Sequence, residues 1–230
     1  MLVLFARSTA TGTSGPKSLG EFGLTSGTNP AVLLNERSYK KGTEIYGEKE
    51  PADFVYQVMT GAVRSYKLLS DGRRQIGAFH LAGDIFGVTS DQYHRFTTEA
   101  VVDTTLRLIR RRNLELIADT DAVLTRNLLS MTATSLRHAE DHMLLLGRKV
   151  AVEKVAAFLL EMDKRLTTAG AMTLPMCRRD IADYLGLTLE TVSRALSQLR
   201  RLGALSFTGG MQREITILDR EQLRSLDLQT

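Results

Sequence analysis

Residues 178–202 read RRDIADYLGLTLETVSRALSQLRRL, and they carry most of the side chains whose types and spacing could do selective chemistry. Ile181, Ala182 and Leu185 give a first short helix one apolar face, Gly186 permits a tight turn, and Thr188 is a good N-cap for a second helix. On that second helix Val192, Leu196 and Leu199 recur at spacings of four and three, which turns them inward. The same period leaves Leu189, Glu190, Ser193, Arg194, Ser197 and Arg201 facing outward. In a major groove an Arg donates a bidentate pair to guanine, a Glu accepts from cytosine N4, and an apolar side chain such as Leu189 meets a thymine methyl. A recognition helix reads bases with its N-terminal residues, where Leu189, Glu190, Ser193 and Arg194 lie. Glu190 and Arg194 are one turn apart and can hold each other as an ion pair, which is also the bland alternative for both. Arg178 and Arg179 open the first helix, the one that crosses the phosphate backbone in such a unit.

Cys177, the one cysteine of the chain, immediately precedes those two arginines. Two arginines in a first turn oppose the helix dipole. They make better sense beside a phosphate or a thiolate. Cys177 is therefore a candidate redox or modification switch, with a tolerated small residue as the alternative. His138 and His142 are four apart, near Glu140 and Asp141. That spacing suits a transition metal, but no third neutral or thiol ligand is adjacent, so the expectation is no metal and no cofactor. A metal-dependent enzyme or cofactor protein is the weaker alternative. His80 and His94 show no partners in the sequence. No Ser-His-Asp arrangement and no phosphate-cradling glycine loop stands out, so catalysis has no candidate residues.

The elements that must position these residues follow from the pattern around them. A helix over residues 148–166 carries Val152, Val155, Ala156 and Leu159 on one face, and residues 167–171 read as a loop. After the two short helices, residues 207–217 read as a hairpin around Gly209-Gly210, and Asp219 with Gln222 caps a last helix. Residues 148–230 hold 13 Lys and Arg against 10 Asp and Glu. Helix, turn, helix and hairpin in a basic stretch are the outline of a winged helix-turn-helix, with nucleic acid as the fitting partner.

Upstream, Leu129, Thr132, Leu136, Ala139, Met143, Leu146 and Val150 alternate spacings of three and four. That is a heptad seam, read as the interface of a homodimer in preference to a helix packed on its own domain. Thr120 and Asp121 are its caps and Gly147 its stop. Residues 31–112 have a different texture, of short β-like runs with turn signals. Residues 54–59, 63–69, 75–80 and 98–109 are strand candidates, with Gly61, Asp71-Gly72 and Gly83-Asp84 as turns. Closely spaced strands of this kind form a small sandwich or roll. The Ser-, Thr- and Gly-rich residues 8–29 read as a flexible tail. The fold expected is α+β, in four segments. Residues 1–30 are the tail, 31–120 a jelly-roll-like β-roll, 121–147 a dimerisation helix, and 148–230 the winged helix-turn-helix.

Composition agrees with a globular chain. Of 230 residues 43% are hydrophobic and 24% charged, with a formal net charge of +4. One cysteine excludes an internal disulfide and a cluster held by several cysteines of one chain. The longest apolar runs are about six residues, where a membrane helix needs roughly 20, so the expectation is a cytoplasmic protein without a membrane partner.

The stretch DIADYLGLTLETVSR resembles the helix-turn-helix signature of the cyclic-AMP receptor/FNR superfamily of bacterial transcription regulators. GDIFG at residues 83–87 and the long helix ahead of the DNA-binding unit extend the resemblance from about Ala31 to the C-terminus. The FixK-like subgroup is the most similar. The resemblance implies a homodimer on palindromic double-stranded DNA with TTGA-like half-sites, contact with RNA polymerase, usually as an activator, and control of low-oxygen respiration or nitrogen-fixation genes. It places Glu190, Ser193 and Arg194, with Leu189 beside them, at the base-reading positions. The N-terminal cysteines that hold an iron–sulfur cluster in FNR proteins are missing here. Nucleotide-binding members hold the phosphate with a Gly-Glu turn and an Arg-Ser or Arg-Thr pair. This chain has Asp84 and Phe96-Thr97 instead, with Arg95 one place early, so no cyclic-nucleotide binding is expected. A small-molecule-gated regulator of the same fold is the alternative.

Overall fold

The computed structural model describes residues 35–148, 150–166, 170–208 and 214–227. The expected N-terminal tail and the hairpin tip at Gly209-Gly210 lie outside the described residues.

The N-terminal half is two antiparallel sheets face to face. Strands β1 (Asn35–Tyr39), β3 (Phe54–Thr60), β6 (Ile85–Phe86) and β8 (Thr104–Arg110) form one, in the order β1-β8-β3-β6. Strands β2 (Glu44–Tyr46), β4 (Ala62–Leu68), β5 (Arg74–Leu81) and β7 (Thr97–Ala100) form the other, in the order β2-β7-β4-β5. Between them lie Tyr39, Tyr46, Tyr56, Val58, Val63, Phe86, Ala100 and Leu106. Stacking sheets through such alternating apolar side chains is what makes the roll stable. Asp71-Gly72 does turn a hairpin, with Gly72 at φ +80° and its N–H on the Leu69 carbonyl at 2.9 Å.

The single strand expected over residues 98–109 is two strands, β7 and β8, in different sheets. The chain turns a corner at residues 101–103. Thr104 Oγ1 accepts the Ala62 N–H at 3.2 Å and donates toward the Val102 carbonyl at 2.8 Å. Gly61, at φ +92°, lies so close that a Cβ would stand 2.4 Å from Thr104 Oγ1. Thr98, Ala100, Val102, Thr104, Leu106 and Leu108 keep a period of two across this corner, and no Gly or Pro marks it, so the pattern alone reads as one strand.

Helix α1 (Arg111–Ala118) leads into α2 (Ala122–Arg148). Asp121 caps α2, its Oδ1 accepting from the N–H groups of Val123 and Leu124 at 2.8 and 3.1 Å. Leu124 packs on Val55, Ile109, Leu114 and Ile117, which ties the start of α2 to the roll. Gly147 lies inside the last turn of α2 rather than ending it. Val150, the last position of the heptad seam, lies beyond the helix. Its N–H binds Glu153 Oε2 at 3.0 Å, an N-terminal cap for α3 (Ala151–Leu166), so the chain has already begun a new helix there.

The C-terminal part continues with β9 (Met172–Thr173), α4 (Arg178–Leu185), α5 (Leu189–Arg201), β10 (Leu205–Thr208), β11 (Glu214–Ile217) and α6 (Arg220–Asp227). Its sheet has the order β10-β11-β9. The short β9 was not foreseen, because two residues carry no period. Val155, Leu159, Leu185, Val192, Leu199, Ile215 and Leu223 form the core, and Ile76, Phe79 and Leu81 of β5 belong to the same cluster. The roll and the C-terminal part therefore share one apolar interior. The Phe79 ring lies 5.3 Å from Tyr184 and 6.4 Å from Phe158. No helix among the described residues is long and apolar enough to cross a membrane.

Candidate nucleic-acid interface

Helices α4 and α5 are joined by a left-handed glycine. Gly186 has φ +62° and ψ +38°, and the Leu187 N–H returns to the Ala182 carbonyl at 2.9 Å. A side chain here would be strained in the backbone and would also meet Leu146 of α2 at 3.4 Å. Thr188 then opens α5, its Oγ1 accepting the Thr191 N–H at 3.2 Å. Val192, Ala195, Leu196 and Leu199 are buried, so the apolar stripe fixes which face of α5 is left over.

That face presents Glu190, Arg194, Ser197 and Arg201 exposed, with Leu189 and Ser193 half-buried at its edge. Ser197 donates to the Ser193 carbonyl at 2.8 Å. The expected Glu190–Arg194 ion pair is not formed among the described residues. The Glu190 carboxylate instead accepts from its own N–H and the Thr188 hydroxyl, which hold it below the usual carboxylate range. The nearby charges of Arg179 and Arg194 act in the same direction. An anionic side chain at a helix N-terminus, with Arg200 and Arg201 in the last turn, also matches the dipole of α5. Thr191, Gln198 and Arg200 lie on or beside the same surface and were not singled out from sequence.

At the head of α4, Arg179 is exposed. Arg178 crosses to two other elements, with Nη1 3.4 Å from Ser193 Oγ of α5 and its guanidinium 5.9 Å from the Phe207 ring of β10. It joins α4, α5 and β10. Half-buried Cys177 is the N-cap, and its N–H and Sγ both lie 3.2 Å from Asp180 Oδ2. The thiol thus donates to a carboxylate where sequence reasoning placed two guanidinium groups. Asp180 at the third helical position is the acidic half of a capping box, which a cysteine at the N-cap concealed.

The seam residues Leu129, Thr132, Leu136, Ala139 and Met143 are exposed along α2, while Leu146 is half-buried against the turn at Gly186. One turn before Leu146, and flanking the seam, His142 stacks on Tyr184 at 4.1 Å, and its Nε2 lies 2.8 Å from the Tyr184 carbonyl. That contact engages one ring nitrogen of the His138–His142 pair with the backbone. Among the described residues no group of three His, Cys, Asp or Glu could hold a metal ion.

In the roll, Asp84 accepts the Leu81 N–H at 2.7 Å and pairs with Arg165 of α3. The Phe96 ring covers Gly77, Thr97 Oγ1 accepts the Glu48 N–H at 3.0 Å, and Arg95 is exposed. Strand β7 pairs with β4 without a bulge, Tyr66 opposite Thr97 and Ser65 opposite Thr98. His80 and His94, unpartnered in the sequence, are seated in the roll. His80 Nε2 lies 2.9 Å from Ser65 Oγ with its ring on Phe86, and His94 stacks on Tyr46 at 3.5 Å.

Residues 36–121 match the cyclic nucleotide-binding domain, and residues 153–226 the Crp-like helix-turn-helix domain. The chain is 44% identical over 200 residues to the nitrogen fixation regulation protein FixK of Rhizobium meliloti (strain 1021), spanning 86% of this chain and 90% of that one. The FixK of Azorhizobium caulinodans is 43% identical over 202 residues, spanning 86% and 81%. Among solved structures, FixK2 from Bradyrhizobium japonicum is 63% identical with a TM-score of 0.83, covering 86% of this chain and 99% of that one. These relatives are regulators, not enzymes. A Crp-like helix-turn-helix behind a cyclic-nucleotide-type roll, shared with FixK proteins over most of their length, shows that the chain belongs to the Crp/FNR family of DNA-binding transcription regulators.

Proposed function

We propose that this protein is a sequence-specific transcription regulator, acting mainly as an activator, that binds TTGA-like palindromes as a homodimer. The observation that carries this reading is the exposed face of α5, where Leu189, Glu190, Ser193 and Arg194 stand together at the helix N-terminus with Thr188 as its cap. Arg178, Arg179, Ser197 and Arg201 supply the flanking phosphate and backbone contacts. The exposed apolar seam of α2 supports pairing of two copies through Leu129, Thr132, Leu136, Ala139 and Met143, with Leu146 at its end. The division into a roll, a dimerisation helix and a DNA-binding unit is the working organisation.

Binding without cyclic nucleotide is supported by Asp84 being engaged with Arg165, and by Phe96 standing where a phosphate-binding arginine would be needed. The alternative, a ligand-gated member, lacks such support. No iron–sulfur cluster is invoked, because one cysteine cannot hold it. The named role of the FixK relatives, nitrogen fixation regulation, supports nitrogen-fixation genes as targets, and genes of low-oxygen respiration belong to the same reading. RNA polymerase as partner and a cytoplasmic location belong to the same reading. Modulation at Cys177 does too. Charge added to its sulfur would lie beside Asp180, at the end of α4 that faces the phosphates.

The test is a fluorescence-anisotropy titration of a labelled TTGA-type palindrome against a scrambled duplex at matched salt. A specific site is expected to bind at least roughly a thousandfold more tightly. Equal affinity for both duplexes would overturn the reading.

A further inference from the structure

The roll and the helix-turn-helix are joined by more than apolar packing. Two arginines of the roll reach across more than a hundred residues of sequence to the first helix of the DNA-binding unit. Arg64 of β4 holds Glu99 Oε1 at 2.5 Å and Asp180 Oδ1 at 2.6 Å. Arg74 of β5 holds the same Asp180 oxygen at 2.7 Å and Asp183 Oδ2 at 2.8 Å. Gln75 Nε2 adds a bond to the Asp183 carbonyl at 2.9 Å. The side chain of Asp180 is 4% exposed, and its other oxygen faces the N-cap of α4. One buried carboxylate is thus shared by two guanidinium groups from one domain and the helix cap of the other. Such a group has few orientations in which every charge is satisfied, because releasing Arg64 strips Glu99 of its cation, releasing Arg74 strips Asp183, and either leaves the buried Asp180 with one guanidinium where it had two.

The place of this cluster matters. It grips α4, which is joined to α5 by the single turn at Gly186. The dimer seam lies on α2, which is tied to the roll through Leu124. The recognition helix is therefore oriented relative to the dimer axis by the grip of the roll on α4, together with the contacts of His142 and Leu146 of α2 with α4 and its turn. In a dimer on DNA that orientation sets the separation of the half-sites. Each added base pair moves a half-site about 3.4 Å along the helix and rotates it by roughly 35°.

We propose that Arg64 and Arg74 are positioning residues for DNA recognition, which hold α4 through Asp180 and Asp183 and so fix the half-site spacing that the dimer accepts. This inference rests on the palindrome-binding reading above, and it adds a role for residues that never touch DNA. Nothing local in the sequence marks them, since the partners lie 106 to 116 residues apart.

The test uses the full-length dimer and a set of palindromes with the preferred spacer or with one or two base pairs inserted or removed. Wild type is expected to prefer one spacing by at least tenfold. Arg74→Gln, and Arg64→Gln with Arg74→Gln together, are expected to bring that preference to about threefold or less. Discrimination between consensus and scrambled half-sites should stay within twofold of wild type, which general unfolding would not allow. Arg74→Glu should lose spacing preference, and Arg74→Glu with Asp183→Arg should regain most of it, because an arginine at 183 can face both the new glutamate and Asp180 one turn away. Folded, dimeric Arg74→Gln with wild-type spacing preference would overturn the proposal. So would a wild type that prefers no spacing, or a charge swap that rescues nothing. Failure of wild type to tell consensus from scrambled DNA would instead overturn the palindrome reading itself.

Discussion

Replacing Leu136 by glutamate tests the dimer seam in the middle of α2. Leu129, Leu136 and Met143 are 70%, 60% and 65% exposed on one side of the helix. Fully burying such a side chain stabilises by about 1.5–3 kcal/mol, so recovering three-fifths of it is worth roughly 1–2 kcal/mol. Two-fold symmetry doubles every contribution, and the three pairs together supply on the order of 8 kcal/mol toward the cost of association. Leu136→Glu removes two of those six contributions, about 3 kcal/mol. It also places a carboxylate from each copy in the seam without a partner, which costs roughly 1–3 kcal/mol more. A loss of about 4–6 kcal/mol raises the dimer dissociation constant by roughly a thousandfold or more. Since Leu136 is 60% exposed and belongs to none of the apolar clusters among the described residues, the monomer fold should survive, with far-UV circular dichroism and the melting of the C-terminal part unchanged. Sedimentation equilibrium over a range of concentrations reads the constant directly. A folded Leu136→Glu protein as dimeric as wild type would refute the reasoning and put the interface on another surface.

Three further outcomes follow from the same geometry. Specific DNA binding should not change on adding cyclic AMP, and an affinity gain of more than about threefold in an anisotropy titration would show that the roll takes the nucleotide despite Phe96 and the Asp84–Arg165 pair. Peroxide should weaken DNA binding by wild type but not by Cys177→Ser, while Cys177→Asp, which sets a second carboxylate beside Asp180, should bind poorly without oxidant; equal peroxide sensitivity in wild type and Cys177→Ser would leave the cysteine a plain N-cap. His80 is held neutral in the roll by burial, its value lowered from 6.5 to about 4, so its contribution is complete above pH 6.5 and is lost as pH falls toward 4, because the unfolded chain takes the proton first. The loss is at most about 3 kcal/mol, and urea unfolding between pH 7 and 4.5 should show a shallower fall for His80→Gln than for wild type, parallel curves counting against the assignment.

The helix-turn-helix was legible because its information is local. Spacings of three and four at Val192, Leu196 and Leu199, a glycine at the turn and a threonine at the cap all act within one or two helical turns. The helix that carries the three-and-four spacing was legible for the same reason until Val150, where a capping contact with Glu153 begins the next helix in a way that spacing cannot announce. The corner at residues 101–103 was hidden because alternation survives a change of sheet. The Glu190–Arg194 pair failed because a helix N-terminus offers the glutamate closer donors. At Cys177 the sequence showed the two arginines that follow, but the side chain that meets the sulfur is Asp180, held in place by arginines more than a hundred residues upstream. Contacts of that range leave no period and no motif, so the link between the roll and the DNA-binding unit had to come from the fold.

The measurement that bears most directly on the central claim is selection of binding sites from a pool of random duplexes by the purified protein, run in parallel with Arg194→Ala. Wild type is expected to recover a palindrome with a guanine fixed in each half-site. Arg194→Ala should recover the same palindrome with that guanine released, the preference falling roughly ten- to hundredfold per half-site. Recovery of no palindrome, or of the same fixed guanine by both proteins, would contradict recognition through the exposed face of α5.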